Sequence, residues 1–171
     1  MVESIIDNYK DSYVAFLDVL GFKNMVMKKK NQKLTTYFKE VNKVIKDLKN
    51  IEQKKNIGHI IISDSIILTL EKDDNITRNT FILRQLCIAV RKIQKKLALN
   101  NIWLRGAISS GKTYFDQDNN QIVGPAYINA YQLEEELAIY PRVILDNRII
   151  NDLNFNSSDE FIKEINNENE S

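Results

Sequence analysis

Two apolar segments of this chain each end in an aspartate, and this arrangement limits the folds that the chain can adopt. The first segment, residues 12–17, precedes Asp18, and the second, residues 59–63, precedes Asp64. An ionised carboxylate among so many apolar side chains is costly unless hydrogen bonds or a cation compensate it. Two such carboxylates would also repel each other, and a hard divalent cation relieves that repulsion. The functional prediction therefore depends on whether the fold brings Asp18 and Asp64 together.

Length and composition predict a single cytoplasmic domain. The 171 residues suffice for one hydrophobic core, and 43% of them are hydrophobic. No apolar run reaches the roughly 18 residues of a membrane span, and the first residues do not resemble a signal peptide. We therefore expect no membrane association. The single cysteine, Cys87, suits a reduced compartment, and the single histidine, His59, excludes a histidine-rich metal site.

The charge is unevenly distributed along the chain. Residues 154–171 contain five acidic residues and one basic residue, whereas the formal net charge of the whole chain is +1. We expect a domain over 1–153 and a polar, acidic, poorly ordered tail over 154–171, with a short helix near Phe161. The mild positive charge of the domain suits a small anionic ligand. It excludes the dense basic surface of a duplex-DNA binder, so no nucleic-acid partner is expected.

Hydrophobic periodicity predicts an alternation of strands and helices. Strands are predicted at 12–18, 59–63, 65–71, 103–114, 121–123 and 141–146, and long helices at 32–53, 76–98 and 125–138. Phe81 is predicted to face inward from the second long helix. This order predicts an α+β fold whose first part is a ferredoxin-like sandwich, with helices on one face of an antiparallel sheet.

In such a sandwich the first strand and the second strand of the hairpin are antiparallel neighbours. The end of one then lies beside the start of the other, which places Asp18 and Asp64 at the same edge of the sheet. For either aspartate alone, a role in a turn or a helix cap is the simpler alternative. An arginine that neutralised one of them would argue against a shared cation.

Oxygen ligands without nearby histidine or cysteine favour Mg²⁺ or Mn²⁺ over zinc. Two carboxylates suit a phosphoryl-transfer site that holds two ions about 3.5–4 Å apart. The backbone carbonyl of Val19 is a candidate extra ligand. Gly21 opens the next helix, so the N–H groups of residues 19–23 are candidates for a phosphate cradle.

Four segments resemble the class III nucleotide cyclases. Phe16-Leu17-Asp18-Val19-Leu20-Gly21-Phe22 resembles their F-x-D-I-x-G-F segment, and Ser63-Asp64-Ser65 resembles their hairpin with serine in place of glycine. Leu104-Arg105-Gly106-Ala107-Ile108 resembles their R-x-G-I strand, and Gly124 to Glu134 resembles their G-x-x-V-N-x-A-x-R-L-E helix. The segments occur in the right order over residues 12–146. The residues of these segments are most similar to those of the small bacterial cyclases of Pycsar antiphage defence.

The resemblance implies a cyclase-type homodimer with active sites at the subunit interface. It implies that UTP or CTP is converted with Mg²⁺ or Mn²⁺ to cyclic UMP or cyclic CMP, a second messenger for a cyclic-nucleotide-responsive effector. On this resemblance Asp18 and Asp64 are the metal ligands, and Val19 contributes its carbonyl. Gly21 and Phe22 belong to the substrate-binding segment.

The chain departs from the family at two positions of the last helix. Gln132 stands where the family has a transition-state arginine, and Ile128 stands in the asparagine position. Asn129 lies one residue away, about 100° around the helix, and cannot simply substitute. Arg105 and Arg142 are the candidates for the missing catalytic cation. Each has the alternative of a salt bridge that holds the edge of the sheet.

Recognition of the base also departs from the family pattern. Ile60 occupies the position of the purine-selecting lysine of adenylate cyclases, which argues against ATP. His59 is a candidate contact to a base, with simple packing as its alternative. Tyr13 can stack on a base in the partner's site or pack in the core. Lys28–Lys30 fits a solvated helix end better than a triphosphate clamp.

Two further readings of the chain stay open. The missing arginine and asparagine fit a catalytically silent cyclase-like dimer that binds a nucleotide or a protein. The paired carboxylates on a sheet also occur in the palm domains of polymerases. The absence of a companion domain and the modest basic charge disfavour that reading.

Overall fold

The computed structural model describes residues 4–49 and 57–167. Its strands are β1 (Lys10–Val19), β2 (Gly58–Ile62), β3 (Ser65–Glu71), β4 (Leu104–Asp116), β5 (Gln121–Val123) and β6 (Val143–Leu145). Its α-helices are α1 (Phe22–Met27), α2 (Asn31–Lys49), α3 (Ile76–Ala98), α4 (Pro125–Leu137), α5 (Asn147–Asp152) and α6 (Ser158–Asn167). The predicted order of strands and long helices is confirmed.

The strands form one six-stranded sheet in the order β2-β3-β1-β4-β5, and β6 also pairs with β4. All pairs are antiparallel except β4 with β6, which is parallel. The predicted pairing of the first strand with the second hairpin strand is confirmed, and its register sets Asp18 opposite Ser65. The predicted α+β fold is therefore confirmed.

Helices cover both faces of this sheet. On the first face, Tyr13, Ala15 and Leu17 of β1 belong to a large core that also contains buried residues of α2 and α3. On the second face, Val14 and Phe16 pack with residues of α4 in a smaller cluster. Since side chains alternate along a strand, Asp18 continues the row of Val14 and Phe16 on the second face. The predicted one-sided sandwich therefore describes α2 and α3, while α4 covers the opposite face.

Two details of the long helices differ from the prediction. Phe81 is 48% exposed instead of facing inward, because the buried row of α3 runs through its neighbours Ile82 and Leu83. One residue is about 100° around a helix, so Phe81 is displaced toward solvent. The predicted end of the first long helix, residues 50–53, lies outside the described residues.

The C-terminal region carries the helices α5 and α6. Phe161 of α6 is buried in the large core, and its ring lies 5.3 Å from that of Phe155 in an edge-on contact. The division of the chain near residue 153 stays a prediction. Within the described ranges, none of the helices combines the length and the apolarity needed to cross a membrane.

Candidate active site

The structure brings the two aspartates to one edge of the sheet. Asp18 is the penultimate residue of β1, and Asp64 lies in the turn between β2 and β3. The N–H of Val19 donates a hydrogen bond of 3.0 Å to the carbonyl of Asp64, which ties the turn to the end of β1. Ser63 holds a left-handed backbone with φ of 55°, a conformation in which glycine is the usual residue. The hairpin turn and the ladder thus fix both acids side by side.

The charge of Asp18 is unfavourable in this position. Burial raises the pKa of its carboxyl group, the neighbouring carboxylate of Asp64 raises it further, and Arg105 partly offsets both effects. A divalent cation between the two acids would replace this repulsion by attraction. The electrostatics of the apo site therefore favour cation binding.

Arg105 lies close to Asp18 but pairs mainly with another acid. Its Nε is 2.5 Å from Oε1 of Glu134 on α4 and 3.8 Å from Oδ2 of Asp18. Glu134 is only 3% exposed, and burial raises the pKa of its carboxyl group while Arg105 lowers it. With all groups ionised, one guanidinium stands among three carboxylates, so Arg105 does not neutralise the Asp18–Asp64 pair. Its position fits the alternative of an ion pair that holds the sheet edge.

Arg142 is the second candidate cation at this edge. It precedes Val143, which lies beside Gly106 in the β4–β6 pair, so it is one strand further from Asp18 than Arg105. Its Nη2 donates a hydrogen bond of 2.8 Å to the carbonyl of Leu137, the last residue of α4. This contact satisfies a helix C-terminus. Arg142 is otherwise exposed and does not contact the two aspartates in this structure.

The predicted phosphate cradle is smaller than residues 19–23. The N–H of Val19 bonds to Asp64, and the N–H of Leu20 donates a 2.8 Å hydrogen bond to the carbonyl of Trp103. The remaining N–H groups start at Gly21, which holds a left-handed φ of 72° before the first turn of α1. Phe22 offers only its backbone, because its side chain is buried against the ring of Tyr37 at 5.7 Å.

The structure does not bring Tyr13 or His59 to the carboxylate edge. Tyr13 is completely buried, so core packing is the correct alternative and base stacking is wrong for this ring. His59 is the second residue of β2 and precedes Asp64 by five residues, about 16 Å along the extended chain. Its backbone exchanges two hydrogen bonds with the amide of Gln117, so it belongs to the opposite end of the sheet.

Sequence reasoning missed Tyr37, whose position in the apolar row of α2 made it look like a core residue. Its side chain is completely buried, and its hydroxyl has no hydrogen-bond partner. Burial raises the pKa of this hydroxyl, and the negative charges of Asp64 and Asp18 raise it further, in that order. The hydroxyl is therefore neutral, and it lies in the core of the first face. Only the packing of α2 against the sheet reveals this.

The departures on α4 lie on its exposed side. Ile128 is 49% exposed and Gln132 is also exposed, whereas Ala126 and Ala130 face the sheet. Neither Ile128 nor Gln132 can serve the acid pair of its own chain from that side of the helix. A role for these positions would require a second molecule.

The acid pair fits a magnesium-like ion without further protein carboxylates. Within residues 4–49 and 57–167, no group of three or more His, Cys, Asp or Glu side chains is arranged to hold a metal. Mg²⁺, however, is usually bound through one or two carboxylates and completes its shell with water and substrate phosphates. The repulsion between Asp18 and Asp64 agrees with an ion of this kind at this edge.

Comparison with known proteins identifies the fold. No protein-family model matches the sequence, and no curated protein sequence matches it. Among solved structures, the monomeric guanylyl cyclase domain of the RhoGC fusion protein from the fungus Blastocladiella emersonii is 13% identical, with a TM-score of 0.60 over 85% of this chain and 86% of that one. The guanylate cyclase domain of RhGC from Catenaria anguillulae, solved with GTP, is 14% identical, with a TM-score of 0.60 over 85% and 82%. A dimeric form of the Blastocladiella domain has a TM-score of 0.58 at 14% identity over 85% and 84%. This chain therefore has the fold of nucleotide cyclase catalytic domains.

Proposed function

We propose that this protein is a nucleotide cyclase. The observation that carries the proposal is the convergence of Asp18 and Asp64 at one edge of a cyclase-type sheet, where their repulsion favours a divalent cation. In the reaction, the 3′-hydroxyl oxygen of a ribonucleoside triphosphate bonds to its own α-phosphorus. The bond from that phosphorus to the bridging oxygen breaks, pyrophosphate leaves, and the hydroxyl proton passes to solvent.

Asp18, Asp64 and the carbonyl of Val19 would hold two Mg²⁺ or Mn²⁺ ions. Bound there, the ions supply Lewis acidity for the attacking hydroxyl and positive charge for the phosphates. The N–H groups from Gly21 onward would bind phosphate oxygens at the first turn of α1. Val19 and Leu20 instead fix the loop through their N–H hydrogen bonds to Asp64 and Trp103.

The two arginines would have different parts in this proposal. Arg105 forms an ion pair with the buried Glu134, and its Nε lies 3.8 Å from Oδ2 of Asp18. It would therefore position the carboxylate of Asp18. Arg142 is exposed and donates from Nη2 to a backbone carbonyl, which is a weaker commitment than an ion pair. Arg142 is therefore the better candidate to face the charge that develops on the phosphates.

The choice of base and the cellular role rest on the Pycsar resemblance. Ile60 stands in the lysine position and is buried in the second-face cluster, so it offers no polar group to a purine. We propose UTP or CTP as the substrate and cyclic UMP or cyclic CMP as the product. The product would act as a second messenger for an effector in antiphage defence.

We further propose a homodimer with the active sites at its interface. The structurally similar Blastocladiella domain has been solved both as a non-canonical dimer and as a monomer. At the sheet edge of the acid pair, exposed apolar side chains lie at the end of α4 and before β4 and β6. Their exposed fractions are 49% for Leu137, 68% for Ile139 and Tyr140, and 50% for Trp103. A second chain that covered them could also bring Ile128 and Gln132 of its own α4 to this site.

The test is turnover of each of the four ribonucleoside triphosphates with Mn²⁺, with products identified by mass spectrometry. We expect one pyrimidine triphosphate to give a 3′,5′-cyclic monophosphate and pyrophosphate in equal amounts. Asp18→Asn should lower the rate at least about 100-fold, because it removes a metal-binding charge. Asp118→Asn, at an exposed position of the β4–β5 turn, is the matched control. Absence of a cyclic product from all four substrates, or full activity of Asp18→Asn, would contradict the proposal.

Ile128 and Gln132, which replace the asparagine and arginine of the family, favour a second candidate function. This function is a catalytically silent dimer that binds a nucleotide. A wild-type protein that binds a triphosphate with Mn²⁺ and yet forms no cyclic product would favour that function.

A further inference from the structure

The basic residues of this chain are concentrated in two segments that contain no acidic residue. Residues 19–39 include six lysines, and residues 75–115 include eight lysines and arginines, but neither segment contains an aspartate or a glutamate. The formal net charge of +1 is therefore the sum of regions with very different charges. Whether these segments produce a charged surface depends on where the fold places them.

The fold brings the two segments together at one end of the helices that cover the first face. The turn after α1 carries the exposed Lys28–Lys30, and the last turn of α3 carries the exposed Lys95 and Lys96. In the first turn of α2, Nζ of Lys33 donates a hydrogen bond of 3.0 Å to the carbonyl of Asn101, in the turn that follows α3. These six lysines therefore form one surface, the basic surface of the molecule.

Exposed apolar side chains lie among these lysines. Met27 directly precedes Lys28 and is 73% exposed, and Leu99 directly follows α3 and is 72% exposed. Apolar groups within a cluster of basic residues are typical of surfaces that bind anionic lipids, because the charges pair with headgroups while the apolar groups enter the acyl boundary. A single-stranded nucleic acid binds instead through aromatic side chains on which its bases stack, and neither Met27 nor Leu99 has a ring.

The basic surface and the acid pair belong to different sides of the sheet. Helices α1, α2 and α3 contribute buried residues to the core of the first face, whereas Asp18 continues the row of Val14 and Phe16 on the second face. A flat partner on the basic surface would therefore leave the second face open. Binding there does not require the proposed reaction.

We propose that the basic surface is a docking site for the anionic surface of a phospholipid membrane. Its ammonium groups would lie at the level of the headgroup phosphates, and Met27 and Leu99 would reach the acyl boundary. Such a peripheral contact needs no spanning helix, and none is found within the described ranges. It differs from the expectation drawn from the sequence, because a search for apolar runs detects membrane spans and not charged surfaces.

The experiment is co-sedimentation of the protein with liposomes of phosphatidylcholine, with and without about 30% phosphatidylserine. We expect binding only to the anionic liposomes. Raising the salt concentration from about 0.1 M to about 0.5 M should weaken this binding at least about 10-fold, because salt screens the lysine charges.

A charge variant and a matched control test the lysines. The charge variant combines three substitutions in the turn after α1: Lys28→Gln, Lys29→Gln and Lys30→Gln. It should weaken binding at least about 10-fold, since each lysine near an anionic membrane contributes roughly 5-fold. The control removes three exposed lysines outside the basic surface and should bind like the wild type: Lys10→Gln, Lys43→Gln and Lys46→Gln.

An apolar variant tests the contact with the acyl boundary. Met27→Ser combined with Leu99→Ser leaves the charge unchanged and should also weaken binding at least about 10-fold, because two exposed apolar side chains are lost. Thermal unfolding verifies that all variants fold like the wild type.

Four outcomes would overturn the proposal. The wild type does not bind anionic liposomes, or the charge variant binds as tightly as its control. The apolar variant binds as tightly as the wild type, which would show that the surface recognises anions in general and not a lipid boundary. Finally, the wild type binds single-stranded RNA more tightly than anionic liposomes, which would assign the surface to a nucleic acid.

Discussion

Asp18 occupies a position where its charge opposes folding. The carboxylate lies half-buried at the end of an apolar strand, beside Asp64, and the guanidinium of Arg105 is engaged mainly by Glu134. A hydrophobic or neutral residue would suit the metal-free fold better. Such a conflict between a local environment and its residue is typical of functional sites.

The pKa of Asp18 predicts how its replacement changes stability. Its pKa in the folded protein lies above the ordinary value of 3.8, so ionisation costs more in the folded than in the unfolded state. The penalty is absent below pH 3.8, where both states are protonated, and is complete once the pH exceeds the folded value. In metal-free buffer, Asp18→Asn should therefore gain about 1 kcal/mol in free energy of unfolding at pH 7.5.

Urea unfolding in EDTA at pH 4.5 and pH 7.5 measures this effect. The gain should be smaller at the lower pH, because wild-type Asp18 is then partly protonated in the folded state. Asp118→Asn serves again as the control and should change little at either pH. A gain independent of pH, or a loss of stability at pH 7.5, would contradict the raised pKa.

At the scale of elements, the ion pair of Arg105 with Glu134 joins β4 to α4 beneath the site. Glu134 is buried, so its charge depends on the guanidinium of Arg105. Removing one partner of a buried pair leaves an uncompensated charge, whereas replacing both by apolar residues is often neutral. The pair thus holds α4 on the second face, and this role needs no substrate.

We therefore predict that Arg105→Met lowers the free energy of unfolding by about 3 kcal/mol, and that the double variant Arg105→Met with Glu134→Leu recovers most of the loss. Equilibrium urea unfolding of the two single variants and the double variant gives the coupling energy. A loss below about 1 kcal/mol in Arg105→Met would show that Glu134 does not depend on Arg105. Arg105 would then be available to the substrate.

Most elements could be predicted from the sequence, because their signals are local. Apolar runs and helical periodicity predict β1, the β2–β3 hairpin and the long helices. In a ferredoxin-like fold with this order of elements, β1 pairs with β3, the second strand of the hairpin. The convergence of Asp18 and Asp64 follows from that pairing alone. The error at Phe81 is a rotation by one residue, which periodicity resolves poorly when apolar residues are adjacent.

The contacts that complete the site could not be predicted in the same way. The Arg105–Glu134 pair depends on which face of the sheet α4 covers. The position of Tyr37 depends on how α2 crosses the loop after β1. Both depend on packing between elements, which the local sequence pattern does not specify.

At the scale of the whole molecule, the question is what covers the apolar surface near the acid pair. Ile139, Tyr140 and Trp103 are each half or more exposed, and Leu137 is 49% exposed. They lie at the end of α4 and just before β4 and β6, at the edge that carries Asp18. Helix α6 packs on the other side of the sheet, since its Phe161 lies in the core of the first face. In the proposed dimer a second chain covers this surface, and the active site forms only in the assembled protein.

Ile139→Lys tests this assembly, because the side chain is 68% exposed and does not contribute to the core. In the proposed dimer it should raise the dissociation constant by at least about 10-fold, since a lysine charge would be buried at the interface. Ile6→Lys is the matched control, at a 70% exposed isoleucine before β1, toward the opposite end of that strand. Analytical ultracentrifugation over a concentration series measures the dissociation constant, and thermal unfolding verifies that both variants fold. If the wild type is a monomer at all concentrations, or if Ile139→Lys dimerises as tightly as the wild type, this surface is not a dimer interface. If that monomer has cyclase activity, every catalytic group must come from one chain.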